Sequence, residues 1–233
     1  MSLSIITDRE IQFLNDSNRI EGIYEIDYKT KKFQDPEKGH FGAFLISQQI
    51  ANEHKPLTAK IIRKWQELLT REQQGFTGDR IPEEEIGHLR GPSLHKNVRI
   101  GKHIPPHYDH VPVLLQTLIE SINENLTKNR EKYQTDDLAF SNFLGSSFLR
   151  FERIHPFGDG NGRTGRLLAN YIATYCNRSI LVFPSEMSLR NRYIEAHESE
   201  EAMSRYITDR MTQWQKDEPV AFASQGAHRK PSR

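Results

Sequence analysis

The chain has 233 residues, 36% of them hydrophobic and 27% charged, with a net charge of +1 and a single cysteine. That length suits one large core. The near-neutral balance offers no electrostatic footprint for nucleic acid, and no apolar run approaches the roughly 20 residues that span a bilayer. Cys176 alone excludes an internal disulfide, and its place in an apolar run reads as a buried thiol. The polar start MSLSIITDRE does not read as a signal peptide, so a cytoplasmic protein is expected, with delivery into another cell left open.

Taken in chain order, Thr7 and Glu10 have capping-box spacing, which predicts a helix from Asp8 to Glu21 stopped by Gly22. The stretch from Ile23 to Gly39 is mixed and charged, and reads as a loop. Phe41–Asn52 has helical spacing, with Phe44, Leu45 and Ile50 near one face. Thr58 caps a helix through Leu69 that carries Ile61, Ile62, Trp65, Leu68 and Leu69. From Gly75 to Pro106 the helical period disappears, and Asn97-Val98-Arg99-Ile100 suggests a small hairpin among loops. Val111–Leu126 returns to helix, with Leu114, Leu115, Leu118 and Ile122 expected inward. A longer helix spans Asp136–Ile154 with an apolar stripe of Phe140, Leu144, Phe148 and Phe151. Thr164–Cys176, Ser188–His197 and Glu200–Trp214 complete the helices, and the polar residues from Asp217 onward read as a disordered tail. The class is all-α, one helical domain with a small β-hairpin inserted.

The run HPFGDGNGRTGR, from His155 to Arg166, carries the chemistry. It puts one imidazole, one carboxylate, four glycines and two guanidiniums within a helix–loop–helix context. Glycines let backbone N–H groups approach an anion, and the positive end of the next helix points at the same spot. Arg163 and Arg166, three apart, would project from one side of that first turn. The pattern fits a di- or triphosphate: loop and helix end for one phosphate, arginines for the others, and Mg²⁺ on Asp159. His155 lies just outside the cradle, where a proton acceptor is useful.

The run resembles the signature of the Fic family, H-x-F-x-[D/E]-G-N-G-R-x-x-R, matched by His155, Phe157, Asp159, Gly160, Asn161, Gly162, Arg163 and Arg166. The resemblance extends over roughly Ile5–Arg210; Gly87, Arg90, Val98, Ile100, Gly101, Pro105 and Pro106 are similar to the family's segment upstream of the motif. It implies a compact helical bundle with a β-hairpin flap over the active site: an inhibitory helix at 1–22, a core at 23–215 and a tail at 216–233.

The implied activity is transfer of AMP from ATP to a Tyr, Thr or Ser hydroxyl of a target protein. His155 would take the hydroxyl proton and Asp159 would hold Mg²⁺. Gly160, Asn161 and Gly162 would stabilise and position the inner phosphates, with Arg163 and Arg166 on the outer ones. Phe157 would hold the loop from the core. Backbone of the flap (Leu94, His95, Lys96, Asn97, Val98, Arg99, Ile100) would align the target by strand addition. Gly162 keeps the small residue that phosphate-transferring members replace with a bulky one. Tyr193 is either a wall of the adenine pocket or core packing.

The end of the first helix, SNRIEG, resembles the family's inhibitory pattern [S/T]-x-x-x-E-[G/N] through Ser17, Glu21 and Gly22. The implied brake acts in cis: Glu21 pairs with Arg166, takes the guanidinium meant for the γ-phosphate and misaligns the α-phosphate. Removal of AMP from modified targets, aided by Glu21, is a further implied activity. Two alternatives stand beside this reading, a nucleotide-binding regulatory module and a phosphotransferase on the same fold. The expected partners are ATP and a hydroxyl-bearing protein, with a homodimer left open and neither nucleic acid nor membrane among them.

Overall fold

A computed structural model describes residues 6–77, 81–92 and 103–217, with side chains through 212. The first helix, α1 (Asp8–Ile20), begins as its capping box requires. Thr7 Oγ1 accepts from Glu10 N at 3.2 Å and Glu10 Oε2 accepts from Thr7 N at 2.7 Å. It ends where Gly22 turns the chain at φ +80°, with Ile23 N donating to Asn18 O at 3.1 Å. The helices α2 (Gly39–Asn52), α3 (Ala59–Thr77), α4 (Val111–Thr135), α5 (Asp137–Ile154) and α6 (Asn161–Tyr175) follow, and α7 (Met187–Glu195) and α8 (Glu200–Asp217) close the chain.

The core sits between α2, α3, α4, α5, α6 and α8. α6 is the central element, packed against α2, α3 and α5 and buried at nearly every position from Gly165 to Ala173. Phe13, Phe44, Trp65, Phe140, Phe148 and Phe151 are fully buried around it. Each contributes roughly 1.5–3 kcal/mol by leaving water. α8 covers the other side of α5, where a Cβ on Gly145 would meet Ser204 Oγ at 2.8 Å, so only glycine permits this approach.

The boundaries of α3, α4 and α6 differ from the sequence reading, each for a physical reason. α3 continues to Thr77 rather than stopping at Leu69, because its last turns bury polar side chains (Thr70 and Gln73), and the apolar period ends while the helix does not. α4 runs past Leu126 to Thr135, held at its end by Tyr133 stacked on Phe143 with ring centroids 4.6 Å apart. α6 starts at Asn161, since Gly160 at φ +78° already supplies the turn. One core assignment fails: Leu114 is 37% exposed, because Leu115 and Leu118 take the inward face of α4. The hairpin flap, Leu94 to Ile100, and the tail after Asp217 lie outside the described residues.

Candidate active site

α5 delivers His155 to the site through an abrupt stop. His155 caps the helix in the left-handed region at φ +48° and ψ +64°, with its N–H still donating to Phe151 O at 3.0 Å. Arg90 braces this strained turn. Its Nε donates to His155 O at 2.7 Å, its Nη2 to Ile154 O at 3.3 Å and also to Pro106 O, and its backbone N to Pro156 O at 2.8 Å. The His155 Nδ1 is buried, on the side of the Glu152 backbone. Burial pushes the imidazole pKa down to about 4, and the Arg90 charge adds to that. The Glu152 backbone and the carboxylates of Glu21 and Asp159 pull the other way. The ring is therefore neutral at pH 7 and able to accept a proton.

The loop after His155 is fixed from within. Phe157 is fully buried, and the Asn161 side chain closes on its backbone from both ends: Nδ2 donates to Phe157 O and Oδ1 accepts from Phe157 N, both at 2.9 Å. This occupies the Asn161 amide, so Asn161 shapes the loop and does not itself point at a phosphate. Gly160 then turns the chain into α6, whose first N–H groups have no side-chain cap and carry the positive end of the helix dipole. Asp159 is half-buried; its Oδ1 accepts from Gly160 N at 2.6 Å and its Oδ2 from Gln73 Nε2 at 3.1 Å.

Both arginines are buried, Arg163 at 2% and Arg166 at 0% exposure, in the first turns of the central helix. Arg163 donates to Gln73 Oε1, and burial lowers its pKa against the opposing pull of Asp159 and Glu21. Arg166 is wrapped by α1 and α7. Its Nε donates to Ser17 Oγ at 2.9 Å, its Nη2 to Ser17 O at 2.8 Å and to Glu21 Oε1 at 2.7 Å, and its Nη1 to Tyr193 Oη at 3.3 Å. Burial alone would lower the Arg166 pKa, but Tyr193 and Glu21 hold it above the ordinary guanidinium value. Burial would likewise raise Glu21, yet Arg166 and then Arg163 keep its carboxylate below the usual range. The pair is asymmetric: the Arg166 side chain is 1% exposed and that of Glu21 37%. The Glu21 carboxylate thus stays partly open to solvent while Arg166 does not. Gly162 makes room for it, since a Cβ there would meet Glu21 Oε1 at 2.4 Å and Arg166 Nη1 at 3.1 Å.

Tyr193 lies at 4% exposure in an aromatic cluster with Phe148, Phe183, His197 and Tyr206. Its hydroxyl serves Arg166 instead of an open pocket. Gln66, Gln73, Arg90 and Glu152 were missed as site residues by the sequence reading. Glu152 is buried beneath Gly165, where a Cβ would meet its Oε1 at 2.1 Å, and burial pushes its carboxyl up to about 8. The available signal was faint: Gln66 and Gln73 are polar side chains on the face of α3 that also carries Leu69.

A motif loop at the start of a buried central helix, with a histidine at the end of the preceding one, forms the centre of a helical domain. Residues 56–173 match the Fic/DOC family model, and the chain belongs to that family. It is 30% identical over 112 residues to the Protein adenylyltransferase Fic of Drosophila mojavensis, covering 46% of this chain and 20% of that protein. The Drosophila willistoni protein of the same name is 29% identical, with the same coverage. The chain thus spans about a fifth of the length of the curated relatives it matches. Among solved structures it is similar to a Fic domain containing signaling protein from Bacteroides thetaiotaomicron, with a TM-score of 0.67 at 18% identity, covering 87% of this chain and 83% of that one. It is similar also to Fic-1 from C. elegans, with a TM-score of 0.61 at 18% identity, covering 91% and 63%. These likenesses show the fold.

Proposed function

We propose that the protein transfers AMP from ATP to a Tyr, Thr or Ser hydroxyl of a target protein, and that Glu21 restrains this activity in cis. The observation that carries the reading is the convergence, around one motif loop, of a neutral His155, the uncapped start of α6 and two buried arginines. Burying two guanidiniums at a helix start is costly; Glu21 neutralises Arg166, whereas Arg163 is hydrogen-bonded to the neutral Gln73 amide, which supports an anion as its partner. The names of the Drosophila relatives support the same class of transfer.

His155 accepts the proton of the target hydroxyl as its oxygen attacks the α-phosphorus; the bond to the bridging oxygen breaks and pyrophosphate leaves. The N–H groups at Asn161–Arg163 hold the inner phosphates, and Arg163 and Arg166 hold the outer ones. Asp159, a half-buried carboxylate beside that cradle, fits a Mg²⁺ ion, which binds through one or two carboxylates plus nucleotide phosphates. Such an ion would neutralise phosphate charge. Flap residues Leu94–Ile100 would align the target backbone.

Glu21 places its charge where the outer phosphate belongs and occupies Arg166, so ATP that enters is held with its α-phosphate out of line. The same carboxylate, released and near the bound phosphorus, would orient a water for removal of AMP. Incubating the protein with ATP labelled at the α- or the γ-position tests the main reading. Label transferred to protein from the α-position only, and lost in His155→Ala, is expected; transfer from the γ-position would mean phosphate transfer, and binding without transfer a regulatory module. Loss of AMP from a pre-modified target on adding wild-type protein, but not Glu21→Gly, tests the reverse activity.

A further inference from the structure

The end of α3 reaches into the motif loop with two buried glutamines seven residues apart, and both meet Asp159. Gln66 Nε2 donates to the Asp159 backbone O at 3.1 Å, while Gln66 Oε1 accepts from Gly87 N at 2.5 Å. Gln73 Nε2 donates to Asp159 Oδ2 at 3.1 Å, and Gln73 Oε1 accepts from Arg163 Nη2. The loop backbone lies on the helix between them, since a Cβ on Gly160 would meet Thr70 Cγ2 at 3.4 Å and Gln66 Cγ at 3.6 Å.

Asp159 and Arg163 carry opposite charges and are near enough for each to feel the other. In a site shielded from water, a carboxylate and a guanidinium at such range close into a bidentate pair. Closure would hide both groups in each other and present the nucleotide with a neutral surface. The Gln73 amide stands between them with its carbonyl to the guanidinium and its NH₂ to the carboxylate. Among side chains of this length only a neutral amide satisfies both ends, because a glutamate would repel Asp159 and a lysine would repel Arg163. Gln66 acts on the same loop through backbone alone and fixes where Asp159 starts.

We propose that Gln73 is a positioning residue, a neutral spacer that keeps Asp159 and Arg163 from pairing so that both remain turned toward the polyphosphate. The proposal rests on the AMP-transfer reading only for its kinetic consequence; its direct consequence is in nucleotide binding.

The test is a double-mutant cycle in the full chain carrying Glu21→Gly, read by calorimetric ATP binding without metal and with increasing Mg²⁺. Gln73→Met keeps the length and helix preference of the side chain but removes the amide. It should weaken metal-free ATP binding and raise the Mg²⁺ concentration for half-saturation about 10- to 100-fold, the usual scale for groups that orient a metal-binding site. Adding Asp159→Asn removes the charge that would capture Arg163. The gain in metal-free ATP affinity from Asp159→Asn should be clearly larger in the Gln73→Met background than in the parent. Equal gains in both backgrounds, or unchanged ATP and Mg²⁺ binding in a folded Gln73→Met protein, would overturn the spacer. A Gln73→Met that fails to fold is replaced by Gln73→Ala, which also removes the amide without adding a charge and favours the helix, and it should pass the same cycle. A parent that binds ATP but transfers no α-label sinks the AMP-transfer reading and leaves the spacer to be judged by the cycle. A parent that binds no ATP overturns both.

Discussion

Replacing Glu21 by glycine is the sharpest perturbation of the site. The Glu21 Oε1 to Arg166 Nη2 contact is 2.7 Å, a charge-assisted bond of a kind worth about 1.5–3 kcal/mol. With the Glu21 side chain 37% open to water, screening takes the value to the bottom of that range and below, about 1–2 kcal/mol. A nucleotide that must displace this contact binds productively about 5- to 30-fold less well than one that need not. Glu21→Gly should therefore raise α-label incorporation, at sub-saturating ATP, by about that factor. Arg166 is not stranded, because Ser17 still accepts from Nε and Nη2 and Tyr193 from Nη1, so the variant should fold. Glu21→Gln keeps the length of the side chain without its charge, and it should fall between the two while sparing the helix end a second glycine. The assay is time-resolved label incorporation alongside calorimetric ATP affinity. If both variants stay within about twofold of wild type in both measurements, well short of the factor expected, Glu21 is not a brake and its pairing with Arg166 is structural only.

Three further outcomes follow from the same geometry. Gly162→Ala drives a methyl group into the place of Glu21 Oε1 and should by itself release the carboxylate from Arg166; Glu21→Gly added to it should then raise label incorporation far less than in wild type, and equal gains would refute the steric link. His155 has its pKa depressed to about 4, so it is deprotonated above that value; kcat/KM for ATP should hold level down to about pH 5 and fall only near 4, and an acid limb at the ordinary histidine value of 6.5 would show the ring is not buried as described. Glu152 has its folded-state pKa raised to about 8 from 4.5, so the folded protein keeps a proton that the unfolded chain has lost; stability from this group is present below about 4.5 and declines as pH rises toward 8. Glu152→Gln should thus gain in Tm relative to wild type between pH 5 and pH 8, and a constant difference across that window would contradict the assignment.

The helices with strong apolar periodicity were legible along the chain, α1 to within a residue because Thr7, Glu10 and Gly22 mark its ends. The motif, too, announces itself as a cluster of residue types with no other reason to co-occur. Local sequence carries such information because capping, glycine turns and helical period are decided within a few residues. It could not show that Arg163 and Arg166 are buried, that the Asn161 amide is used up on Phe157, or that Tyr193 supports Arg166. Nor could it show that α3 continues through polar residues in order to reach Asp159. These outcomes depend on which helix packs on which: Ser17 lies 149 positions from Arg166 and Gln73 lies 86 from Asp159. A buried polar side chain finds its partner across the fold, where no periodicity along one helix records it, so the chemistry could be read from the chain but its wiring was decided by tertiary packing.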